Sequence, residues 1–195
     1  MKKLFFSVVL LAGVSTANAQ IQEGNWMVGG NLFGAEFGLN EGAGYNFQIQ
    51  PKAAYFIKDN IAVGGYVNLG FSGADGAPTT FIYNVGALGR YYLSPGEKGV
   101  DNLLKHGRWF LEANAGIGGT SISKGGASSN GLNFGFAPGY AYFLAQNVAL
   151  EGLVKYDANA GFGNIGYTHR ISLGLGFQIY FPSSKAKERV EEEKR

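Results

Sequence analysis

Apolar and polar positions alternate with a period of two along most of the chain. The stretch 171–181 sets Ile171, Leu173, Leu175, Phe177, Ile179 and Phe181 on one side and Ser172, Gly174, Gly176, Gln178 and Tyr180 on the other. In 61–71, Ile61, Val63, Val67, Leu69 and Phe71 stand against Ala62, Gly64, Tyr66, Asn68 and Gly70. Successive side chains of a strand point to opposite faces, so this period predicts strands rather than helices. Eight such segments are predicted near 25–37, 45–57, 61–71, 79–93, 108–121, 131–144, 148–160 and 167–181, separated by clusters of Gly, Asn, Asp, Ser and Pro. Lys58-Asp59-Asn60 and Gln146-Asn147 are short enough for tight hairpins, whereas 38–44, 72–78, 122–130 and 161–166 are longer and rich in Gly and Ser.

Composition decides which face is wet. Only 15% of the residues are charged, too few for eight strands to present a hydrated exterior over an apolar interior. With the apolar rows facing lipid and the small and polar rows lining a narrow lumen, the pattern is coherent. A closed ladder then satisfies every backbone group inside hydrocarbon. The predicted fold is all-β, an eight-stranded antiparallel up-and-down transmembrane β-barrel.

The aromatic residues fit this arrangement. With both chain ends on the periplasmic side, Trp26, Tyr55, Tyr91, Trp109, Tyr140, Tyr142 and Phe181 gather near one interface. Tyr45, Phe71, Phe81, Tyr83, Phe134 and Tyr156 gather near the other, giving two belts. Pro51 and Pro138 cannot donate to a ladder, so a bulge or a skipped hydrogen bond is expected at each.

The beginning of the chain reads as a secretory signal peptide over residues 1–19: MKK, an apolar run too short to span a bilayer, then Ala17-Asn18-Ala19. Residues 20–182 are then the barrel, and 183–195 a charged, solvated periplasmic tail. The net charge is +2, and since Lys2 and Lys3 supply two positives, the chain after residue 19 is neutral and offers no footprint for nucleic acid. Cysteine is absent, which excludes disulfides and thiolate metal sites.

Signal peptide, eight alternating segments and the final strand together resemble the small eight-stranded outer-membrane barrels of the outer-membrane protein A and X type. Gly176, Ile179 and Phe181 resemble the C-terminal signal by which the barrel assembly machinery recognises its clients, although 14 residues follow Phe181 here. The resemblance implies a protein of the Gram-negative outer membrane, with membrane lipid and that machinery as partners.

Candidate chemistry is sparse. Gly161, Gly163 and Gly166 have dinucleotide-fingerprint spacing, but a strand follows and not a helix, so a hairpin loop is the reading. His106 falls in the long connection 94–107 and reads as solvated. His169 sits on the lipid face with Ser172 three residues on, and an odd separation points them to opposite faces, against a nucleophile and base pair. No catalytic, cofactor or metal site is expected.

The charges at inward positions form a set: Lys52, Arg90, Lys155 and Arg170 against Glu112, Glu151 and Asp157. An unpaired charge in a narrow lumen is costly, so a cross-linked ion network is expected there, with Tyr66, Tyr92, Phe110, Phe143 and Tyr180 as bulk opposite glycines. A symmetric hairpin across 161–166 sets Asp157 directly opposite Arg170. Similar counting across 94–107 brings Arg90 near Glu112, or near Phe110 after a one-step slip. The expected role is that of a monomeric structural or envelope-integrity barrel whose lumen is closed by side chains. A narrow solute or ion pore is the alternative, followed by a surface-binding protein or a lipid-modifying enzyme.

Overall fold

A computed structural model describes residues 21–37, 44–74, 76–93, 107–123, 128–145, 147–162 and 166–182. Residues 1–19, expected to be a signal peptide, residues 183–195, expected to be a tail, His106 and residues 163–165 of the 161–166 loop lie outside the described residues.

Eight strands follow one another: β1 Asn25–Phe37, β2 Gly44–Lys58, β3 Ile61–Ala74, β4 Thr80–Tyr92, β5 Gly107–Ile122, β6 Ser129–Ala145, β7 Val148–Gly161 and β8 Tyr167–Pro182. Each pairs antiparallel with the next, and β1 pairs with β8, so the sheet closes into an up-and-down barrel. The strands begin and end within two or three residues of the predicted bounds. The largest extensions are at the end where β1 finishes: β3 runs on to Ala74, and its Gly73 and Ala74 pair with Tyr45 and Gly44. Backbone pairing continues there through small residues whose side chains carry no period.

The facing follows the alternation. Along β3, Tyr66 is 3% exposed, Val67 40% and Asn68 8%. The apolar rows look outward and the polar rows inward, as lipid demands of the one and a filled lumen of the other. The belts are present as contacts between neighbouring strands. Trp26 and Tyr55 have ring centroids 5.2 Å apart, and Trp109 and Tyr140 5.0 Å. Phe47, Phe71 and Phe81 stack in series at the opposite end, with centroids 5.2 and 4.8 Å apart.

Both prolines interrupt a ladder without shifting it. Across β2–β3, pairing stops after Ile49↔Leu69 and resumes at Lys52↔Tyr66 in the same register. Across β6–β7 it stops at Phe136↔Tyr156 and resumes at Gly139↔Leu153. The bulges lie elsewhere, between Phe33 and Glu36, Phe56 and Lys58, and Phe143 and Ala145. A proline lacks only its donor, so one missing bond accommodates it and no extra residue is needed. At the tight turn after β2, Asn60 takes φ 66, a conformation that asparagine tolerates well.

Candidate functional site: the barrel interior

The interior is built in layers, beginning at the end where β1 starts and β8 finishes. The floor is aromatic. Phe56 stacks with Tyr92 at 6.0 Å between centroids and meets Tyr180 at 6.2 Å, while Tyr92 meets Phe110 at 5.9 Å. All four rings are essentially buried, and Phe143 and Ile21 pack beneath them. The segment before β1 is tied across this floor, since Asn60 N donates to Ile21 O at 2.8 Å and Gly24 N to Phe56 O at 2.9 Å. The hydroxyls of Tyr92 and Tyr180 meet at 2.7 Å, so the rings bring no bare polar atom into the plug.

Above the floor lies a closed ionic cluster of Lys52, Arg90, Glu112 and Glu151, whose side chains are at most 2% exposed. Arg90 is its hub. Its Nε donates to Glu112 Oε2 at 2.9 Å and its Nη2 to the same oxygen at 2.6 Å. Nη1 donates to Glu151 Oε1, Nη2 also reaches Glu151 Oε2 at 3.0 Å, and Nη1 donates to Tyr92 Oη at 2.9 Å. All five guanidinium donors are thereby used, in the forked geometry that suits arginine to paired carboxylates. Lys52 Nζ donates to Glu112 Oε2 at 2.9 Å, and Gln178 Nε2 to Glu151 Oε2 at 3.2 Å. Two cations meet two carboxylates, so the layer is neutral. Its guanidinium also lies 4.0 Å from the centroid of Phe110, which joins the ionic layer to the floor.

A third layer is mostly amide. Lys155 Nζ binds Asp157 Oδ1 at 3.0 Å. Tyr66 donates to Asn84 Oδ1 at 2.7 Å, Asn114 Nδ2 donates to Tyr66 Oη at 3.0 Å, and Asn133 Nδ2 to Asn159 Oδ1 at 2.8 Å. Beyond it the lumen widens into a polar vestibule of about 320 Å³ that opens at the other end, bordered by Gln48, Asn68, Asn84, Asp157, Asn159 and Arg170 among others.

Glycines supply the room for these large groups. A Cβ at Gly139 would strike the ring of Phe110, one at Gly174 the ring of Phe33, and one at Gly176 the amide of Asn31 and the side chain of Glu151. Small residues on one strand are sockets for large ones on another, which is how so narrow a barrel is filled.

The structure places six of the seven charged residues of the expected network in the buried interior, divided into two groups. Arg170 is the exception and a correction. It stands directly opposite Asp157 in the β7–β8 register, yet it is exposed and its side chain reaches Gln48 Oε1 at 3.5 Å, while Asp157 is held by Lys155. Register fixes which Cα atoms face each other, but a long side chain at a widening rim turns to the nearest acceptor. Arg90 stands opposite Glu112 without the one-step slip that would have put Phe110 there. Gly176 faces inward, whereas Ile179 and Phe181 belong to the outward row. His169 points outward and its Nδ1 lies 2.7 Å from Tyr156 Oη, with Ser172 on the alternate position. Among the described residues no group of three or more His, Asp or Glu could hold a metal. The amides of Asn31, Gln50, Asn114, Asn133 and Gln178 were not singled out from the sequence, although their inward parity and polarity were visible there.

No known sequence family and no curated protein matches the chain. Among solved structures, Neisserial surface protein A is similar at a TM-score of 0.60 and 17% identity, over 80% of this chain and 97% of that one. The N-terminal β-barrel domain of Pseudomonas aeruginosa OprF aligns at a TM-score of 0.44 and 16% identity, over 82% and 98%. OprG, also from Pseudomonas aeruginosa, aligns at 0.45 and 12%, over 85% and 99%. At such identities the likeness is one of fold. Closed eight-stranded architecture and a girdled apolar exterior define the class: a small transmembrane β-barrel of the outer-membrane type. The chain is accordingly an integral outer-membrane protein.

Proposed function

We propose that the chain serves as a monomeric structural barrel of the outer membrane, with a lumen shut to solutes and without catalysis. The observation that carries this reading is the saturated Arg90 cluster lying directly on the aromatic floor. An ion crossing from the vestibule would have to part Arg90 from two carboxylates and then displace the rings of Phe56, Tyr92, Phe110 and Tyr180. Separating buried, hydrogen-bonded charges costs several kcal/mol per ion. Such a barrel contributes its lipid-facing wall and its rigidity, and its partners on this reading are membrane lipid and, during biogenesis, the barrel assembly machinery reading Gly176, Ile179 and Phe181.

The test is electrical. The purified barrel in planar bilayers is expected to give no resolvable steps under an applied potential. Reproducible unitary conductance from the native chain would overturn the closed reading in favour of a narrow pore.

A further inference from the structure

We infer that the outer half of the β1–β8 seam is a lateral binding site for a long-chain carboxylate, its head in the vestibule and its tail on the lipid-facing wall. The β1–β8 ladder runs from Asn25↔Pro182 only as far as Phe33↔Gly174. Above that point, among the described residues, β8 continues to Tyr167 paired with β7, and β1 continues to Phe37 paired with β2. The parting begins at a bulge between Phe33 and Glu36, where Gly34 adopts φ 53. Beside the parting Ile171 and Leu173 are 72% and 75% exposed, and Leu175, just below it where the ladder is still paired, is 72% exposed. His169, on the outward face, lies at the rim of the vestibule beside Arg170.

The part of the open edge below the outer belt, from Ile171 to Leu173, lies in hydrocarbon and needs an occupant, because backbone groups without partners are costly there. Chemistry on both sides of the gap selects one. Inside stands Arg170, whose contact among the described residues is a 3.5 Å approach to Gln48, whereas the neighbouring Lys155 is neutralised by Asp157. An anionic head with acceptor oxygens suits that cation. Outside, the exposed leucines lead down to an apolar groove of about 460 Å³ floored by Gly30 and walled by Leu32, Ile49, Pro51, Leu175 and Phe177. From Arg170 to Gly176 the strand spans roughly 20 Å at about 3.3 Å per residue, the reach of an extended chain such as that of palmitate.

The test uses the isotopically labelled barrel in phosphatidylcholine nanodiscs, titrated with palmitate and, separately, with hexadecanol. Palmitate is expected to shift amides of 167–177 in a saturable way, and hexadecanol to bind more weakly. Arg170→Gln should weaken palmitate about tenfold, while Arg170→Lys should stay near the native affinity. Hydrogen exchange in the ligand-free barrel should be fast at alternate amides of 167–173 and slow along 174–180. Shifts spread evenly round the belt without saturation would mean partition into the annulus only, and would overturn the site. So would equal affinity for acid and alcohol, or full protection of 167–173.

Discussion

Asp157 and Arg170 face each other across the β7–β8 ladder, yet the carboxylate of Asp157 is bound by Lys155 at 3.0 Å and not by Arg170. Lys155 is two residues along the same strand and on the same inward face, and its side chain is 2% exposed. The buried partner takes the carboxylate because leaving a buried ammonium unpaired costs more than leaving a rim guanidinium in water. Asp157→Asn should therefore destabilise the barrel by about 2–3 kcal/mol, and Arg170→Gln by less than about 0.5 kcal/mol. Reversible unfolding in lipid vesicles measures both. A double-mutant cycle should show strong coupling for Asp157 with Lys155 and little for Asp157 with Arg170.

Arg90 is the residue whose loss should be felt most. Arg90→Gln strands Glu112 and Glu151 at once, and about 3–5 kcal/mol of stability should go with it. Replacing the whole group, with Arg90→Met, Lys52→Met, Glu112→Gln and Glu151→Gln, leaves no charge behind and should unfold at a urea concentration closer to native than Arg90→Gln alone. A quadruple variant weaker than the single one would show that the cluster is net stabilising.

The strand pattern was legible because lipid on one side and a packed lumen on the other enforce a strict period of two. Counting inward from the 94–107 connection was enough to bring Arg90 to Glu112. Height was not legible. Strand tilt brings Lys52 of β2 to Glu112 of β5, and Arg90 of β4 to Glu151 of β7, and parity says which face a residue takes without saying which residues of distant strands meet. The parting of β1 from β8 was hidden for a different reason. Ile171 and Leu173 carry the same alternation whether their strand is paired on one side or on two, and only the backbone of β1 beyond Phe33 decides it.

The sockets are tested by filling one. Gly174→Val puts branched carbons where the ring of Phe33 lies, and overpacking of this kind typically costs about 1–3 kcal/mol. Adding Phe33→Ala should return part of that loss, measured as the unfolding midpoint in the same vesicles. No recovery in the double variant would mean that the strain sits in the backbone.

A charge on the outward row should be costly in proportion to its depth. Val67→Lys, midway along β3, should destabilise by about 2–4 kcal/mol, and Asn68→Lys by less if its ammonium finds the amide oxygens of the third layer.

The apolar row of each strand meets lipid and the polar row meets the lumen. Single spin labels at Val67→Cys and Asn68→Cys in the folded barrel, read by accessibility to dissolved oxygen and to a water-soluble nickel chelate, test it most directly. The label at 67 should be open to oxygen and closed to nickel, and the label at 68 should be shielded from oxygen. The opposite pattern, with 68 in contact with lipid and 67 shielded, would turn the barrel inside out.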